Sequence, residues 1–425
     1  MKKKQKNKIA IIGLGYVGLP LATSLSKHIE VIGFDKNKTR IDQLKKGIDL
    51  TKEVSKNDLI KSSNVKYSSN PDSIKSCNIY IITVPTPIND DNEPDLSSLI
   101  DATKLVAKFI TNNNIVVYES TVYPGTTEEI CVPILSQISK LKYLKDFTVG
   151  YSPERINPGD KNHKISDIIK VISASDSRTL KIIKDIYSFI ISAGIHEAEN
   201  IKIAEAAKII ENIQRDVNIA LINEFSIIFN KLNIDTFKVL EAAKTKWNFL
   251  EFYPGLVGGH CIGVDPYYLT YKSKQIGYNP KLILSGREIN EKMSQHVTNL
   301  FLNKLYSTFN KNKLLKVLIM GVSFKENCPD VRNSKVFDII RNLKNKKIDV
   351  DVFDPVVFDA KVSLNDEIKL KKSLENSYYH GIIIAVSHKE FKEIGIKKIK
   401  SFGKANSIVF DIKNVFNSKS IDLKL

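Results

Sequence analysis

The feature that most constrains the fold is a cluster of glycines that ends an apolar run near the start of the chain. The run begins at residue 8 and leads into Gly13, Gly15 and Gly18, after which apolar residues recur at helical spacing. In this spacing the first glycine permits a tight turn, the second lets a pyrophosphate pass close to the backbone, and the third lets the helix pack on the strand. The helix N-terminus then faces the phosphates. The pattern therefore predicts a strand, turn and helix that bind a dinucleotide.

A second apolar run supports this prediction because it ends in an acidic residue. Val31–Phe34 is followed by Asp35, about twenty residues beyond the glycine turn, as in dinucleotide-binding folds. A carboxylate there accepts hydrogen bonds from a ribose 2′-hydroxyl and repels a 2′-phosphate, which favours NAD over NADP. We also predict cofactor contacts from Tyr16 and Val17 in the turn and from Arg40 after the second run.

Hydroxyl-bearing residues follow two further apolar runs. Thr83 and Thr86 follow the run that starts at residue 78, and Ser120 and Thr121 follow the run that starts at residue 115. Because ligands bind outside the carboxyl ends of strands in an open parallel sheet, we predict that these four residues face the cofactor. The alternative, that each hydroxyl caps the next helix, stays open for each residue taken singly.

A fifth run, Phe147–Tyr151, leads into a loop in which Glu154 stands beside Arg155 and which continues through residues 156–160. Neighbouring acid and arginine side chains can form a surface ion pair. At the same edge of the sheet, however, a ligand role is favoured for both.

A long helical pattern follows. In Ile201–Leu232 apolar residues recur at helical spacing without proline or glycine, which predicts a helix of about thirty residues that joins domains and offers an oligomer interface. A largely polar stripe recurs on one face, at Lys208, Asn212, either Arg215 or Asp216, Ile219 and Asn223. Such a stripe usually faces solvent, but alanines and isoleucines surround this one, which favours a buried functional use of Lys208 and Asn212.

The glycine-dense segment Pro254–Tyr268 contains Cys261 near its centre and Asp265 four residues later. A free cysteine is most often a small core hydrophobe, and this alternative applies here too. A glycine-rich backbone can, however, approach a ligand without Cβ clashes. A thiol among glycines and a carboxylate is suited to nucleophilic attack.

The order of strand, glycine turn and helix returns after a lysine-rich linker at residues 310–313. An apolar run from residue 316 leads to Gly321, and a later run ends at Asp354. This predicts a second Rossmann-like domain that lacks the full glycine fingerprint. Lys325 and Arg332 would meet a phosphate ligand different from the one at the first turn.

Composition narrows the class of protein. With 425 residues, 42% hydrophobic and 26% charged, the chain is globular and long enough for two or three domains. Its four cysteines form no CxxC pair and accompany no histidine cluster, so we expect no zinc and no disulfide framework. We expect a cytoplasmic, soluble protein because no apolar stretch has the length of a signal peptide or a transmembrane span. The net charge of +17 comes from lysines scattered along the chain, which suits an anionic small molecule better than a nucleic acid.

A catalytic thiol gives an NAD enzyme the means for a second oxidation. An alcohol oxidation needs only a base, whereas an aldehyde carbon surrenders hydride readily only after a nucleophile has added to it. A thiolate would form a thiohemiacetal and then a thioester, which water hydrolyses. An ammonium such as Lys208 would favour the thiolate and the oxyanion, and Asp265, Glu154 or Thr121 could position or activate water. These residues predict conversion of –CH₂OH to –COO⁻ on a nucleotide-bearing substrate.

Seven motifs, in order along the whole chain, resemble those of the UDP-glucose/GDP-mannose dehydrogenase family. They are Gly13-Leu-Gly-Tyr-Val-Gly-Leu-Pro, Val84-Pro-Thr-Pro, Glu119-Ser-Thr-Val, Ser152-Pro-Glu-Arg, Glu205-Ala-Ala-Lys, Gly258-Gly-His-Cys-Ile-Gly-Val-Asp-Pro and Phe324-Lys-Glu-Asn-Cys-Pro-Asp-Val-Arg-Asn-Ser.

The resemblance implies that Cys261 is the nucleophile, that Lys208 stabilises the oxyanion and shuttles protons, and that other side chains surround the reacting carbon. Those others are Asn212, Asp265, Thr121 and Glu154. It also implies a homodimer through the long helix, and UDP bound by the loop before Cys261 and by the C-terminal domain. The substrate-binding candidates are Glu154, Arg155, Lys208, Asn212, Tyr253, Gly255, Gly258, Gly259, Arg287, Lys325 and Arg332.

The fold class expected is α/β, with two Rossmann-like domains joined by a long central helix and a helical middle domain. We expect an NAD-binding domain at residues 1–200, a helical dimerisation and catalytic domain at residues 201–310, and a UDP-sugar-binding domain at residues 311–425.

Departures from the glucose-oxidising members of the family indicate the substrate. Pro-Glu-Arg-Ile-Asn-Pro-Gly-Asp at residues 153–160 and the Gly-Gly-His-Cys run resemble UDP-N-acetylhexosamine 6-dehydrogenases. The runs Val117–Gly125 and Lys246–Leu250 resemble those of the Vi-polysaccharide type in particular. The resemblance implies oxidation of UDP-N-acetylglucosamine, UDP-N-acetylgalactosamine or both, for capsule or O-antigen synthesis. The alternatives are oxidation of UDP-glucose or UDP-N-acetylmannosamine, a one-step dehydrogenase, and a non-catalytic nucleotide sensor.

Overall fold

The computed structural model describes residues 7–62, 64–155, 165–359, 362, 364, 368, 370–416, 419 and 421–425. The chain divides into two compact units, one formed by Met1–Glu211 with Tyr267–Tyr278 and the other by Asn212–Pro266 with Asn279–Leu425. Each unit contains a mainly parallel sheet, and long helices lie between the two sheets in sequence. This confirms the α/β class with two Rossmann-like sheets. The three domains bounded at residues 200 and 310 stay a prediction.

The sheet of the first unit has eight strands within the described residues, in the order β3-β2-β1-β4-β5-β6-β7-β8. Its first six strands have the doubly wound order, in which successive strands are added on one side of β1 as far as β3 and then on its other side from β4 onwards. The pairing is parallel except between β6 and β7. The strands are β1 (Lys8–Ile12), β2 (Glu30–Phe34), β3 (Val65–Ser68), β4 (Ile79–Ile82), β5 (Asn114–Tyr118), β6 (Phe147–Tyr151), β7 (Lys170–Ala174) and β8 (Ile195–Glu197).

Isoleucine, valine and tyrosine dominate β1, β4 and β5, because side chains of these types fit a pleated surface covered on both faces. The helices before the long one are α1 (Gly18–Leu25), α2 (Lys38–Lys45), α3 (Lys56–Lys61), α4 (Ser97–Ala107), α5 (Val132–Ser139) and α6 (Ser177–Ser188), with short 3₁₀ turns at Pro71–Ile74 and Ile165–Asp167 and a π-helical turn at Thr127–Cys131.

The predicted long helix is confirmed as α7 (Ile201–Lys231), with 31 residues. Along it Lys208, Asn212 and Asp216 are buried, whereas Arg215 is exposed. The structure therefore chooses Asp216 over Arg215 for the buried face. The next helices are α8 (Thr236–Ala243), α9 (Asp265–Gln275) and α10 (Lys281–Thr308).

The sheet of the second unit is parallel throughout, in the order β10-β9-β11-β12-β13. This is the other common doubly wound order, in which the first strand lies between the second and the third. The strands are β9 (Lys316–Met320), β10 (Asp349–Phe353), β11 (Tyr379–Ile384), β12 (Gly403–Asp411) and β13 (Leu423–Lys424), and the helices are α11 (Val336–Asn345), α12 (Pro355–Asp359), α13 (Lys389–Ile394) and α14 (Ile396–Ser401).

One face of α10 completes the core of the second unit. Met293, Val297, Phe301 and Leu305 are fully buried among the apolar side chains of the sheet. A Cβ at Gly381 would lie 2.4 Å from the Phe301 ring, so a glycine on β11 is what lets the helix lie this close. Among the described residues, the structure contains no helix with the length and apolar character needed to cross a membrane.

Candidate active site

The glycine turn of the first unit is held by its own packing. Gly13 has φ +95, and its carbonyl accepts a 2.7 Å hydrogen bond from the Thr83 hydroxyl. A Cβ at Gly18 would lie 1.9 Å from the Gly13 carbonyl oxygen, whereas a Cβ at Gly15 would meet no described atom within 4 Å. Two glycines therefore shape the turn, and Gly15 leaves room for a phosphate at the start of α1. These residues fit the pyrophosphate of NAD.

Asp35 lies beside this turn at the end of β2. Its carboxylate accepts 2.9 Å hydrogen bonds from the backbone N–H groups of Leu14 and Asn37. Arg40 is fastened nearby, since its guanidinium donates to the Leu14 carbonyl at 3.1 Å and to the Asp49 carboxylate at 2.8 Å. The structure thus brings Asp35 and Arg40 to the glycine turn. The roles of both in holding a cofactor stay predictions.

The hydroxyls predicted at this edge join neighbouring strands. Ser120 donates to the Val84 carbonyl at 2.6 Å, and Thr86 donates to the Thr121 carbonyl at 2.7 Å. Together with the bond from Thr83 to the glycine turn, these hydrogen bonds fasten together the segments that follow β1, β4 and β5. The helix-capping alternative does not describe these bonds. Hydrogen bonds therefore hold together the carboxyl ends of these strands, where Thr121 lies.

Glu154 is buried, and its carboxylate accepts 2.8 Å from the Lys170 amino group and 2.7 Å from the Arg155 backbone N–H. The Arg155 guanidinium instead donates to the carbonyls of Ala207 and Lys208 at 2.8 and 3.1 Å. Arg155 therefore fastens this loop to α7 at Lys208, which is not the simple surface pair considered from sequence. Residues 156–160, part of the loop that carries the substrate prediction, lie outside the described residues.

Glu205 is a buried residue whose role the sequence did not indicate, although it begins the Glu-Ala-Ala-Lys motif. Its carboxylate accepts from the backbone N–H groups of Gly125 and Thr127 at 2.5 and 2.9 Å. Burial, opposed by these donors, raises the pKa of Glu205 to about 7. The side chain therefore holds the turn after β5, and its position three residues before Lys208 on α7 was the only signal for it.

In the second unit, the chain around Cys261, here called the thiol segment, forms a helical turn. The N–H groups of Val264 and Asp265 donate to the Cys261 carbonyl at 3.1 and 2.8 Å, and α9 begins at Asp265. The Asp265 carboxylate accepts a 2.6 Å hydrogen bond from the Asn212 amide, and both side chains are buried. The structure therefore places Asn212 beside Asp265, one helical turn after Cys261. The roles of the three residues at a reacting carbon stay predictions.

The glycines before the thiol have protein atoms as their close neighbours. Gly259 has φ +81, and a Cβ there would lie 2.7 Å from the Phe324 ring. A Cβ at Gly258 would lie 2.7 Å from the Asn333 carbonyl oxygen, and the Asn333 amide donates to the Gly259 carbonyl at 3.1 Å. Glycine at these positions lets the thiol segment lie against the loop after β9, which carries the substrate-binding candidates Lys325 and Arg332.

Asn223 fastens the other end of the segment. Its amide oxygen accepts from the Gly255 N–H at 2.8 Å, and its amide nitrogen donates to the Gly255 carbonyl at 3.0 Å. A Cβ at Gly255 would lie 2.5 Å from the amino group of Lys413. Sequence reasoning named neither Asn223 as a support nor Lys413 as a neighbour, and the lysine follows β12 without a motif to mark it. Tyr253, two residues before Gly255, is half exposed.

The two arginine candidates of this unit differ in their surroundings. Arg287 is 2% exposed, and its guanidinium pairs with Asp216 at 2.6 Å and with Glu291. Arg332 is exposed and pairs with Asp330 at 2.5 Å, and its guanidinium lies 3.3 Å from His260 Nδ1. Arg287 is therefore committed to a buried network, whereas Arg332 lies on the surface beside the thiol segment.

Exposure separates Cys261 from the other cysteines. All four are free thiols, but Cys77, Cys131 and Cys328 are buried and Cys261 is partly exposed. Burial raises the pKa of Cys77 to about 11 and that of Cys131 to about 12. A thiol held in its neutral form is a poor nucleophile, so the core-thiol alternative describes those residues better than it describes Cys261.

Three known proteins resemble this chain, two of them in sequence and one in structure. The chain is 51% identical over 418 residues, 98% of either chain, to a UDP-N-acetyl-D-glucosamine 6-dehydrogenase from Salmonella typhi. It is 49% identical, over 98% of this chain and 99% of the relative, to one from Pseudomonas aeruginosa. The structure of a UDP-D-ManNAc dehydrogenase from Pyrococcus horikoshii matches with a TM-score of 0.88 at 27% identity, covering 98% of each chain.

Sequence models of one family match nearly the whole chain. Residues 7–191 match its NAD binding domain, residues 202–292 its central domain and residues 318–418 its UDP binding domain. The glycine turn thus lies in an NAD-binding domain, and the thiol segment lies in the central domain. The chain therefore belongs to the UDP-glucose/GDP-mannose dehydrogenase family.

Proposed function

We propose that this chain is an NAD-dependent 6-dehydrogenase that oxidises the C6 alcohol of a UDP-N-acetylhexosamine to the carboxylate. The observation that carries this proposal is the partly exposed Cys261, one helical turn before an Asp265 held by Asn212. It occurs in a chain about half identical, over almost its full length, to two relatives named UDP-N-acetyl-D-glucosamine 6-dehydrogenase. A one-step alcohol dehydrogenase has no use for such a thiol.

The chemistry balances as a four-electron oxidation. NAD, when bound, accepts the hydride of each of the two oxidations. After the first, the Cys261 thiolate adds to the aldehyde carbon and forms a C–S bond; after the second, water attacks the thioester carbonyl and that bond breaks to return the thiolate. One alcohol and one water thus become one carboxylate, with three protons released and two cofactors reduced.

Other side chains have proposed roles that follow from their chemistry. Asn212 orients the Asp265 carboxylate, which accepts a proton or orients water. The Lys208 ammonium stabilises the oxyanion and shuttles protons, and Thr121 and Glu154 assist at the reacting carbon. The proposal also includes the other predicted contacts. The predicted substrate-binding residues are Arg155, Tyr253, Gly255, Gly258, Gly259, Arg287, Lys325 and Arg332. The predicted cofactor-binding residues are Tyr16, Val17, Asp35, Arg40, Thr83, Thr86 and Ser120.

We include a homodimer through α7 in the proposal. Ile203, Ile210, Leu221 and Ile228 are each more than two-fifths exposed. They are spaced by seven, eleven and seven residues. Because a seven-residue step drifts only about 20° around a helix, and an eleven-residue step drifts back, these side chains form one stripe. An exposed apolar stripe of this kind suits a second copy of the same helix.

A substrate panel tests the activity. Purified protein is incubated with NAD⁺ and, separately, UDP-N-acetylglucosamine, UDP-N-acetylgalactosamine, UDP-N-acetylmannosamine and UDP-glucose, while NADH is followed by absorbance and products by mass spectrometry. We expect two NADH per sugar and a uronic acid with one or both of the first two sugars. Oxidation of UDP-glucose or UDP-N-acetylmannosamine alone would reject the substrate, and one NADH per sugar would reject the two-step scheme. The product would serve capsule or O-antigen synthesis.

A further inference from the structure

A buried lysine in the first unit lies between two buried carboxylates. The Lys170 amino group, on β7, lies 2.8 Å from the Glu154 carboxylate and 3.4 Å from that of Glu119, and none of the three side chains is more than 5% exposed. Lys170 also donates to the Pro153 carbonyl at 3.2 Å. Glu119 follows β5 and Glu154 follows β6, so one ammonium joins the ends of neighbouring strands.

A tyrosine on α6 completes this cluster. The Tyr187 hydroxyl donates a short hydrogen bond to the Glu119 carboxylate. The Lys170 amino group also lies 5.1 Å from the centre of the Tyr187 ring, within range of a cation–π attraction. Tyr187 is fully buried. Glu119 and Tyr187 thus also hold Lys170, and the cluster contains two acids for one base.

We propose that Lys170 is a positioning residue for Glu154, holding that carboxylate in one orientation and in its charged form, and that Glu119 and Tyr187 hold Lys170 in place. This inference rests on the proposed function, in which Glu154 assists at the reacting carbon. The Lys170 side chain is 3% exposed and its amino group contacts Pro153 and Glu154, so it acts through Glu154.

The physical reason is the cost of charge in a buried setting. A carboxylate removed from water favours its neutral form unless a cation and hydrogen-bond donors compensate. The Lys170 ammonium and the Arg155 backbone N–H supply both to Glu154. Burial, opposed by Lys170, raises the pKa of Glu119 to about 7.

The alternative is that this cluster only fastens β7 to its neighbours, and substitutions distinguish the two. Lys170→Met keeps the length of the side chain and removes its charge. We expect kcat to fall about a hundredfold with little change in KM for either substrate. We expect the acidic limb of the kcat/KM profile to move about one pH unit higher, because a nearby cation favours the charged carboxylate.

Two further variants serve as matched controls. Lys170→Arg keeps the charge and should restore most of kcat and the original acidic limb. Glu119→Gln keeps the shape and an acceptor for Tyr187, and should not move the limb to higher pH. If Lys170→Met is unstable, Lys170→Met/Glu119→Gln removes the lysine charge together with the second acid of the cluster and should still show the raised limb. The inference would be overturned if the acidic limb of the kcat/KM profile did not move in whichever of the two methionine variants folds. It would also be overturned if Lys170→Arg lowered kcat as much as Lys170→Met does.

A direct measurement separates this inference from the proposed function. Inactivity of the wild type on every sugar of the panel would reject the function alone. In that case the Glu154 carboxyl signal, identified by its loss in Glu154→Gln, is titrated by ¹³C NMR in protein labelled at glutamate. A titration that moves to higher pH in Lys170→Met supports the role of Lys170, and an unchanged titration overturns it.

Discussion

At the scale of single residues, the cysteines of this chain differ in their surroundings and in the reactivity that we predict for their thiols. Cys77 is buried, and burial raises the pKa of its thiol to about 11, so the thiol stays protonated near neutral pH. Cys261 is partly exposed and precedes an acid held by an amide. Because the surroundings decide whether a thiol can ionise, substitution of these two cysteines should have unequal effects.

We predict that Cys261→Ser lowers uronic acid formation by about a thousandfold or more, because an alkoxide is far less available than a thiolate. Binding of the UDP-sugar, measured by calorimetry, should persist. Cys77→Ala is the matched control and should retain activity with some loss of stability. Undiminished acid production by the serine variant would show that this thiol is not the nucleophile.

A second residue-scale prediction concerns Gly259. Gly259→Ala would force an L-residue into φ +81 and place its Cβ 2.7 Å from the Phe324 ring. Strain of this kind costs about 1–3 kcal/mol. We expect a melting temperature lower by about 3 °C or more, together with reduced kcat, because the thiol follows two residues later.

Gly263→Ala supplies the control for stability, since its Cβ would meet atoms only at 3.8 Å and beyond. Differential scanning calorimetry of the two variants gives the comparison. Equal melting temperatures would mean that the contact with Phe324 does not constrain the segment.

At the scale of elements, α7 holds the turn after β5 through one buried acid. The native pKa of Glu205 is raised from 4.5 to about 7, so the folded chain binds this proton more tightly than the unfolded chain. The protonated carboxyl therefore stabilises the fold below about pH 4.5, and this stabilisation is lost as the pH rises through about 7.

We predict that Glu205→Gln, measured relative to wild type, gains melting temperature as the pH rises from about 5 to about 8. Glutamine stays neutral and so escapes the cost of burying a charge. Glu288→Gln, an exposed change on α10, should show a nearly constant difference over the same range. A difference for Glu205→Gln that falls or stays flat with pH would contradict the raised pKa.

At the scale of the whole molecule, the exposed apolar stripe of α7 bears on whether two copies of the chain form a dimer. We predict that Leu221→Asp converts a dimer into monomers, because a carboxylate within an apolar interface loses its hydration without gaining a partner. Light scattering after gel filtration should then report the 48.0 kDa of one chain. Ile276→Asp makes the same change at an exposed position outside α7 and should leave the dimer intact. A wild-type protein that is already monomeric would reject the interface.

Several elements were predictable because their signals are local. Periodicity and the absence of proline and glycine located the long helix to within a residue of Ile201–Lys231. The glycine spacing and the acid at Asp35 located the NAD-binding turn. Both signals depend on residues near one another in sequence, and so need no knowledge of tertiary contacts.

Other features depend on contacts between distant residues. The order of the second sheet, with β9 between β10 and β11, follows from how crossovers pack, which a repeated strand and helix pattern leaves open. The neighbours of Gly259 were also unpredictable, because the Phe324 ring comes from a loop sixty-five residues away.

By itself the sequence determined the fold class and the cofactor, and it predicted which thiol is reactive, since each depends on residue types at short spacing. Tertiary structure alone decided which polar groups hold the predicted site residues: Lys170 holds Glu154, Asn212 holds Asp265, and Asn223 holds Gly255. A buried hydrogen bond requires its partners at a few ångströms and the right angle. Strand pairing and helix packing create that distance, and no spacing in the sequence records it.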